Sequence, residues 1–221
     1  APLYAYDRAG RTACCRGCEG CSFVIAKRIF DLFASTLGLL LLAPVMLVMA
    51  LWIKLDSAGP VFFRQVRVGQ FGKTFRIHKF RSMVSDAEKR GLQITVGADA
   101  RVTRVGHWLR KYKLDELPQL LDVWLGSMSL VGPRPEVPRY VDCYPEDVRK
   151  IVLSVKPGIT DQASIEFKSE NEILGCAVDA HKAYVEEVLP IKLAYYQDYV
   201  AHRTFWSDMG LIFKTIWAIF R

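Results

Sequence analysis

Two adjacent carboxylates are the residues of this sequence with the clearest capacity for chemistry. Asp115 and Glu116 lie in the segment LDELPQ (114–119), immediately before a proline that can begin a helix. Acidic residues are also common in a first helical turn, where they interact favourably with the helix dipole, and this role alone would explain either residue. Cations lie just upstream, at Arg110, Lys111 and Lys113. Cations keep a nearby carboxylate ionised, as a nucleophile requires, and a helix start can receive phosphate oxygens.

A second constellation places one arginine between two prolines, in the segment GPRP at 132–135. The prolines restrict the backbone on both sides of Arg134, so its guanidinium would lose little entropy on gripping a phosphate with two hydrogen bonds. The alternative is a surface turn whose arginine is solvated. The segment KFRSM at 79–83 adds Lys79 and Arg81 at strand spacing on one face, and the alternative there is a solvated strand face.

The elements that must position these residues are predicted from periodicity and turn signals. We expect strands at 61–64 and 73–83, and helices near 102–112, 118–124, 145–153, 177–202 and 205–221. The segment GQFGKT at 69–74 matches only part of a P-loop, because Arg67 occupies the position of its first glycine, and we interpret it as a hairpin turn. The last helix, which carries Trp206 and Trp217, is predicted either to lie in a membrane interface or to be an ordinary core helix.

Composition limits the class of protein. The chain has 221 residues, of which 51% are hydrophobic and 24% charged, so it can bury a core and is not mainly disordered. Its net charge of +7 favours anionic partners such as nucleic acid, anionic lipid or phosphorylated small molecules, although no nucleic-acid recognition motif is visible. Cysteines at 14, 15, 18 and 21 have partly ligand-like spacing, but without a nearby histidine we interpret 1–24 as a flexible tail rather than a metal site.

One apolar segment is long enough to enter a membrane. From Leu32 to Ile53 there is no charged residue, and as a straight helix this segment would be about 33 Å long. Pro44 near its centre kinks or breaks a helix, so a kinked span and a re-entrant hairpin compete, with a buried core helix as a third interpretation. Basic residues flank both ends, at Lys27, Arg28, Lys54, Arg64 and Arg67. This symmetry favours the hairpin, because basic residues are expected on one side of the membrane.

Taken together, these segments resemble the monotopic polyprenyl-phosphate phosphoglycosyl transferases of the bacterial sugar transferase family. Each segment is weak alone, whereas seven in order over roughly residues 25–160 are highly specific. They are KRxxD at 27–31, the apolar segment with Pro44, QxRxG at 65–69, KFRSM at 79–83, LDELPQ at 114–119, GPRP at 132–135 and KPGIT at 156–160. The chain departs from the family pattern at 161–165, where DQASI replaces GLAQV and leaves the sugar open, and at Ala43, where a serine is common.

The resemblance implies an α+β, mostly helical fold. An N-terminal re-entrant membrane helix-break-helix is expected at 25–56, followed by a small cytosolic catalytic domain with interfacial amphipathic helices at 57–221. The implied reaction transfers a sugar 1-phosphate from a UDP-sugar to polyprenyl (undecaprenyl) phosphate and releases UMP. It would take place at the cytoplasmic face of the bacterial inner membrane, as the first membrane step of glycoconjugate synthesis such as exopolysaccharide, capsule or O-antigen.

The resemblance also implies roles for individual residues. Asp115 would be the nucleophile that forms a covalent phosphosugar intermediate and Glu116 its partner carboxylate, with Mg²⁺ as cofactor on this pair. Phosphate contacts are expected from Lys79, Arg81, Arg110 and Arg134. Contacts with the membrane or the polyprenyl phosphate are expected from Lys27, Arg28, Asp31 and Pro44.

The implied partners are the UDP-sugar, polyprenyl phosphate and membrane lipids; a homodimer is compatible with such an enzyme, and nucleic acid is not expected. Two rivals stay open. One is a membrane-anchored basic interaction protein, and the other is a glycosyltransferase that releases UDP.

Overall fold

The computed structural model describes residues 19–87, 99–166, 174–175, 177 and 179–220, with side chains described between 23 and 218. The described chain is mostly helical. Its helices are α1 (Glu19–Asp56), α2 (Arg104–Lys111), α3 (Gln119–Leu125), α4 (Pro138–Val141), α5 (Glu146–Val152), α6 (Gln162–Glu166), α7 (Ala180–Ala183), α8 (Leu189–His202) and α9 (Phe205–Phe220). Its strands are β1 (Phe62–Phe63), β2 (Val66–Val68), β3 (Thr74–Arg76), β4 (Lys79–Phe80), β5 (Ser129–Val131) and β6 (Gly158–Thr160).

The N-terminal helix α1 is longer than the predicted membrane segment. It begins at Glu19, inside the predicted tail at 1–24, and its 38 residues span about 57 Å at the helical rise. The part from Phe23 to Asp56 has a mean hydropathy of 2.4 in its most apolar window, of which 6% is buried. The helix is therefore long and apolar enough to cross a membrane, and the interpretation as a buried core helix is wrong. The rest of the tail, with three of its four cysteines, lies outside the described residues.

Pro44 lies inside α1, and the helix continues through it without a non-helical residue. The predicted helix-break-helix is thus not seen as an interruption, because a proline inside a long helix removes one backbone hydrogen bond and leaves the flanking turns intact. The side chains of Ser35 and Thr36 both donate to the carbonyl of Leu32, at 3.2 and 2.7 Å, so neither supports the backbone around Pro44. The re-entrant reversal stays a prediction.

The first half of α1 is tied to the globular part by polar side chains. The guanidinium of Arg28 donates to the backbone carbonyls of Val123 (2.7 Å) and Trp124 (3.0 Å), in the last turn of α3. The carbonyl of Val123 also accepts from the backbone N–H of Gly126, at 3.0 Å, so Arg28 reinforces the end of α3 with charge-assisted hydrogen bonds. The buried carboxylate of Asp31 accepts from the backbone N–H of Leu130 in β5, at 3.2 Å.

A further set of contacts joins α1 to α8 and α9. The amine of Lys27 forms an ion pair with the buried carboxylate of Asp208 and lies 3.4 Å from the hydroxyl of Tyr199. The rings of Phe30 and Phe205 meet edge to face, with their centroids 5.5 Å apart. The start of α1 therefore packs against the C-terminal helices as well as α3.

The second half of α1 packs on the same globular part. Ile53 is 2% exposed and forms one core cluster with Phe80 of β4 and with Val105 and Leu109 of α2. At the end of the helix, the carboxylate of Asp56 accepts from the backbone N–H of Val105, at 3.3 Å. Both halves of α1 are thus docked onto one folded unit, while most of the remaining helix surface is apolar and exposed.

The strands of the described chain form three two-stranded pairs. β1 with β4 and β2 with β3 are antiparallel, whereas β5 and β6 are parallel. The strand predicted at 73–83 is therefore two short strands, β3 and β4, which pair with different partners. The predicted hairpin turn at 69–74 is confirmed, because β2 and β3 pair across a 3-10 turn in which Phe71 and Gly72 have positive φ. The largest core cluster lies between α4, α5, the segment 180–189 and α8.

Candidate active site

The turn between α2 and α3 places the two carboxylates. The hydroxyl of Thr103 accepts from the N–H of Gly106, at 3.0 Å, and so caps the start of α2. After this helix, Lys113 adopts a left-handed conformation with φ of 56°. The chain then makes a 3-10 turn at Leu114–Glu116, and Pro118 precedes α3. The carboxylates therefore follow a sharp reversal and lie between two helices, rather than in the first turn of a simple helix.

Glu116 is held by two cations from distant parts of the chain. Its carboxylate accepts from the amine of Lys79 at 2.8 Å and from both terminal nitrogens of Arg134, one of them at 3.3 Å. Burial alone would raise the pKa of Glu116, but the charges of Arg134 and Lys79 bring this pKa well below its usual value. Glu116 in turn raises the pKa of Arg134 well above its usual value. The three side chains form a charged and fixed group.

Asp115, unlike Glu116, is not paired with a cation among the described residues. Its side chain is buried, and burial together with the adjacent charge of Glu116 raises the pKa of its carboxyl group. The charges of Lys79, Arg110 and Lys113 oppose this rise. Among the described residues, no hydrogen bond occupies the Asp115 carboxyl group. Asp115 is therefore a desolvated carboxylate surrounded by cations and not bonded to them, which suits a nucleophile.

Arg110 is fixed beside Asp115 from α2. Its Nε donates to the hydroxyl of Ser82, at 2.9 Å. Burial lowers the pKa of this guanidinium, and the charge of Asp115 acts against that change. The helix lies close to the 82–83 segment because Gly106 has no side chain, since a Cβ there would be 2.0 Å from the carbonyl oxygen of Ser82. The structure therefore brings Arg110 to the carboxylate pair, as it does Lys79 and Arg134.

The loop that carries Arg134 is tied to β6 by a close backbone crossing. The N–H of Gly132 donates to the carbonyl of Thr160 at 3.1 Å, and the N–H of Gly158 donates to that of Pro133 at 2.9 Å. A Cβ on Gly158 would lie 2.1 Å from the nitrogen of Gly132, so the two chains fit only because both residues are glycines. This contact joins the GPRP and KPGIT segments and sets the position from which Arg134 reaches Glu116.

Arg81 lies apart from this group, although it was expected to contact phosphate. Its guanidinium donates to the carbonyls of Ser57 (2.6 Å) and Ala58 (2.7 Å) and to the hydroxyls of Ser57 and Ser85. Burial lowers the pKa of Arg81, and the charge of Asp56 opposes this change. Since β4 ends at Phe80, Arg81 does not share the strand face of Lys79. Its contacts fix the chain where α1 ends.

The residues expected at the lipid also have intramolecular partners. As described above, Lys27 pairs with Asp208, Arg28 binds the end of α3, and Asp31 binds β5. In this structure they dock α1 onto the globular part, and their contact with lipid stays a prediction. The sequence alone could not distinguish these roles, because a basic residue beside an apolar helix has the same local pattern in both.

A magnesium site was expected on both carboxylates. Among the described residues, no group of three or more His, Cys, Asp or Glu side chains could hold a metal ion. Glu116 does not fit the role, because its oxygens are occupied by Lys79 and Arg134. Asp115 fits the role of metal ligand. Its carboxyl group is buried, has no hydrogen bond within the described residues and has a raised pKa, so a bound cation would stabilise its ionised form. Mg²⁺ commonly takes one or two carboxylates and completes its shell with substrate phosphates and water.

Two further residues lie near the site; Lys113 was noted as an upstream cation, whereas Asp161 was not predicted to belong to it. Lys113 acts on both carboxylates through its charge, and its left-handed backbone was not visible in the sequence. Asp161, the first residue that departs from the family pattern, is 4% exposed and lies within range of the charge of Arg134. Its carboxylate accepts from the N–H of Ser164 at 2.9 Å and from its hydroxyl at 2.5 Å, so it caps α6.

Comparison with protein families matches most of the chain to one family. The family model described as "Bacterial sugar transferase" matches residues 22–221. The chain belongs to the bacterial sugar transferase family. The match continues well past residue 160, where the resemblance was expected to end, so the C-terminal helices α6–α9 are part of the family's common unit.

Relatives within this family carry names for closely related reactions. One from Aeromonas hydrophila, "UDP-N-acetylgalactosamine-undecaprenyl-phosphate N-acetylgalactosaminephosphotransferase", is 39% identical over 196 residues, which cover 88% of this chain and 43% of that protein. "UDP-glucose:undecaprenyl-phosphate glucose-1-phosphate transferase" of Escherichia coli is 38% identical, covering 87% and 39%. A protein of the same name from Caulobacter vibrioides is 35% identical, covering 87% and 68%. The chain thus spans about two fifths of the first two family members, and the names differ in the sugar.

Proposed function

We propose that this chain transfers a sugar 1-phosphate from a UDP-sugar to polyprenyl phosphate, such as undecaprenyl phosphate, and releases UMP. The observation that carries the proposal is the buried carboxyl group of Asp115 beside Glu116, with Lys79 and Arg134 fixed around them. A nucleophile among preorganised cations is what phosphoryl transfer requires, because negative charge is redistributed over the phosphoryl oxygens. The substrate class is supported by the names of the relatives.

The proposed reaction has two halves. In the first, a carboxylate oxygen of Asp115 attacks the phosphorus that carries the sugar, the bond from this phosphorus to the bridging oxygen breaks, and UMP leaves with that oxygen. In the second, a phosphate oxygen of polyprenyl phosphate attacks the same phosphorus and the bond to Asp115 breaks. The products are a polyprenyl diphosphate sugar and the regenerated carboxylate.

The cations would act on the diphosphate in both halves. Arg134 presents two nitrogens that suit phosphate oxygens, and in the free chain Glu116 holds them in place. Lys79 and Arg110 add positive charge near Asp115 and favour its ionised form. Because Glu116 already carries the negative charge that balances Lys79 and Arg134, Asp115 is the carboxylate left to react.

Magnesium is part of this proposal, with Asp115 as its protein ligand. When bound, the ion would neutralise charge on the diphosphate and so allow a carboxylate to approach it. Glu116 contributes indirectly, because it keeps Lys79 and Arg134 in place beside the site.

We also propose that α1 is re-entrant and holds the catalytic unit at the cytoplasmic face of the inner membrane. Both halves of α1 pack on one folded unit, through Arg28 and Asp31 at one end and Ile53 and Asp56 at the other. A helix that crossed the bilayer would carry its two ends to opposite sides, and one small unit could not contact both. The basic residues at both ends support the same topology.

The exposed tryptophans support interfacial helices. All five tryptophans of the chain are between 42% and 80% exposed. They are Trp52, Trp108, Trp124, Trp206 and Trp217, and they lie on α1 or on α2, α3 and α9, which pack against it. Tryptophan is favoured at the headgroup level of a bilayer, where one part of its ring is apolar and its N–H is hydrated. We therefore propose that α2, α3 and α9 lie at the interface beside α1.

The topology is tested with single cysteines in a variant in which the native cysteines are replaced by serine. Val24→Cys and Lys54→Cys mark the two ends of α1, and Asp142→Cys marks the catalytic unit. All three are expected to react with an impermeant maleimide from the same side of inside-out vesicles. Reaction of the two helix ends from opposite sides would show a spanning helix.

The activity is tested by separate assays of UMP and UDP. Detergent-solubilised protein is incubated with Mg²⁺, undecaprenyl phosphate, and UDP-glucose or UDP-N-acetylgalactosamine among a panel of UDP-sugars. UMP release that depends on the lipid is expected, and it should vanish in Asp115→Asn while membrane association persists. The control Asp142→Asn makes the same change at an exposed carboxylate, 68% exposed, and should keep full activity.

Three other outcomes would contradict the proposed reaction or the role of Asp115. Release of UDP would indicate ordinary glycosyl transfer, and an active Asp115→Asn variant would remove Asp115 as the nucleophile. Absence of any release across the donor panel would favour a membrane-anchored binding protein.

A further inference from the structure

A buried chain of polar groups leads from the loop of Arg134 into the C-terminal helices. Its members are Arg67, Glu136, Tyr184 and Lys192, and the last three are 7%, 2% and 4% exposed, respectively. The sequence assigned none of them a role at the site, and Arg67 was noted only as a basic residue after the apolar segment and within QxRxG. Buried charges are costly unless they are paired, so such a chain requires a structural or functional reason.

Arg67 binds the loop directly after Arg134. One of its terminal nitrogens donates to the carbonyl of Pro135 at 3.0 Å, and the other donates to the side chain of Gln65 at 2.7 Å. The neighbouring backbone N–H of Val68 donates to the carbonyl of Glu136 at 2.9 Å. The loop is therefore fixed to β2 on this side, just as Gly132 and Pro133 are fixed to β6 on the other.

Glu136 connects this anchor to the C-terminal region. Its carboxylate lies 3.7 Å from Arg67 and accepts a hydrogen bond of 2.6 Å from the hydroxyl of Tyr184. Tyr184 begins a π-helical turn at Tyr184–Val188, between α7 and α8. The amine of Lys192 lies 5.0 Å from the centre of the Tyr184 ring. π-turns inside helices are frequent at functional sites, because they re-aim side chains that a regular helix would point elsewhere.

The electrostatics explain why this connection matters for Arg134. Burial and the charge of Arg134 both lower the pKa of Arg67, and the charge of Glu136 opposes them. The two guanidinium groups therefore repel each other, and Glu136 is the charge that allows both to stay in one small region. The carboxylate is held against Arg67 by the Tyr184 hydroxyl.

We propose that Glu136 and Tyr184 are positioning residues for Arg134. They fix the loop at 132–136 from its buried side, so that the guanidinium of Arg134 keeps its place on Glu116 and on the donor diphosphate. They do not contact the reacting atoms. This inference rests on the proposed function, because its effect is expressed in the release of UMP.

The chain offers a matched pair of tyrosines for the test. Tyr184→Phe removes the hydroxyl that binds Glu136. Tyr196→Phe removes a hydroxyl that is equally buried, lies in the neighbouring helix α8, and has no hydrogen-bond partner within the described residues. Both changes keep the aromatic ring, so they differ in the contacts of the hydroxyl, which for Tyr184 are the hydrogen bond to Glu136 and a longer one of 3.5 Å from the amine of Lys192.

We expect Tyr184→Phe to lower kcat for UMP release by about 10-fold with a small change in the KM of the UDP-sugar, because displacing a catalytic contact mainly weakens the transition state. Tyr196→Phe should stay within about twofold of the wild type. The decisive measurement repeats Tyr184→Phe in an Arg134→Lys background. If Tyr184 acts through Arg134, the second change should cost less than about twofold there, because the two effects are not additive.

A purely structural role predicts a different result. Tyr184→Phe would then reduce kcat by the same factor in both backgrounds, or it would have no effect at all, and either outcome overturns the inference. Glu136→Gln is the second variant, since it keeps an acceptor for Tyr184 but removes the charge that faces Arg67, and it should show the same dependence on Arg134. Failure of the wild type to release UMP with any donor would overturn the proposed function and this inference with it.

Discussion

Asp115 and Glu116 are consecutive residues, yet the pKa values of their carboxyl groups move in opposite directions. Burial and the charge of Glu116 raise the pKa of Asp115, whereas Arg134 and Lys79 overcome burial and bring that of Glu116 well below its usual value. Pairs of carboxylates with separated pKa values commonly divide their roles. Glu116 therefore stays ionised to lower pH than Asp115.

The rise of kcat/KM on the acid side of the pH profile (its acid limb) should reflect the ionisation of Asp115. The nucleophile must be ionised, so kcat/KM for the UDP-sugar should rise with pH through the raised pKa, above the usual value of about 3.9 for an aspartate. Glu116→Gln removes the like charge and should move this limb to lower pH, even though the maximum rate falls. The measurement is kcat/KM between about pH 4 and 8.

A change of opposite sign provides the control for that assignment. Lys79→Met removes a cation that lowers the pKa of Asp115, so the acid limb should move to higher pH. If both variants moved the limb in the same direction, or neither moved it, the limb would belong to another group and the roles of the two carboxylates would have to be revised.

Arg134 should not tolerate exchange for lysine. Arg134→Lys keeps the charge but loses the two-nitrogen contact with Glu116, and with it the geometry that suits a phosphate. We expect kcat/KM to fall by about 100-fold, the cost of losing one fixed electrostatic contact. Arg139→Lys makes the same change at an exposed position shortly after the loop and should have little effect. Similar losses of kcat/KM in both variants would show that the two-nitrogen contact of Arg134 is not required for activity.

Arg28 should affect stability rather than lipid binding. Arg28→Gln removes donors to the carbonyls of Val123 and Trp124, and charge-assisted hydrogen bonds of this kind contribute about 2 kcal/mol. We expect a lower melting temperature in detergent and an unchanged KM for undecaprenyl phosphate. An unchanged melting temperature with a raised lipid KM would restore the role that the sequence suggested.

Replacement of two different glycines by alanine should change the stability of the protein in opposite directions. In Gly158→Ala the new Cβ would meet the backbone of Gly132, and we expect a loss of about 3 kcal/mol or failure to fold, because backbone cannot move aside cheaply. Gly210→Ala places a Cβ on α9 with no heavy atom within 4 Å, and it should stabilise the helix by about 0.5 to 1 kcal/mol. Thermal unfolding of both variants measures the difference, and a well-folded Gly158→Ala protein would contradict the close crossing.

Much of the local structure could be read from the sequence. The helices at 104–111, 119–125 and 146–152 and the hairpin turn after β2 lie where periodicity, prolines and glycines predicted them. These features depend on near neighbours in the chain, because hydrophobic spacing, caps and turn residues act over a few positions. The adjacent carboxylates and the arginine between prolines were identified for the same reason.

The partners of the charged side chains could not be read in this way. Lys79 and Arg81 have the same local pattern, yet one binds Glu116 and the other fixes the end of α1. The parallel pairing of β5 with β6 joins segments far apart in the chain and gave no periodic signal. A solvated cation and a buried, paired cation are indistinguishable until long-range packing decides which groups lose their water.

The sequence by itself determined the chemical types at the site, the apolar helix that adjoins it and the family to which the chain belongs. The tertiary structure decided that Glu116 is neutralised by Lys79 and Arg134 while Asp115 is left without a hydrogen bond among the described residues. It also decided that both halves of α1 dock on one unit. The physical reason is that residue types and short-range order are local properties, whereas burial and charge pairing are set by the closure of distant segments.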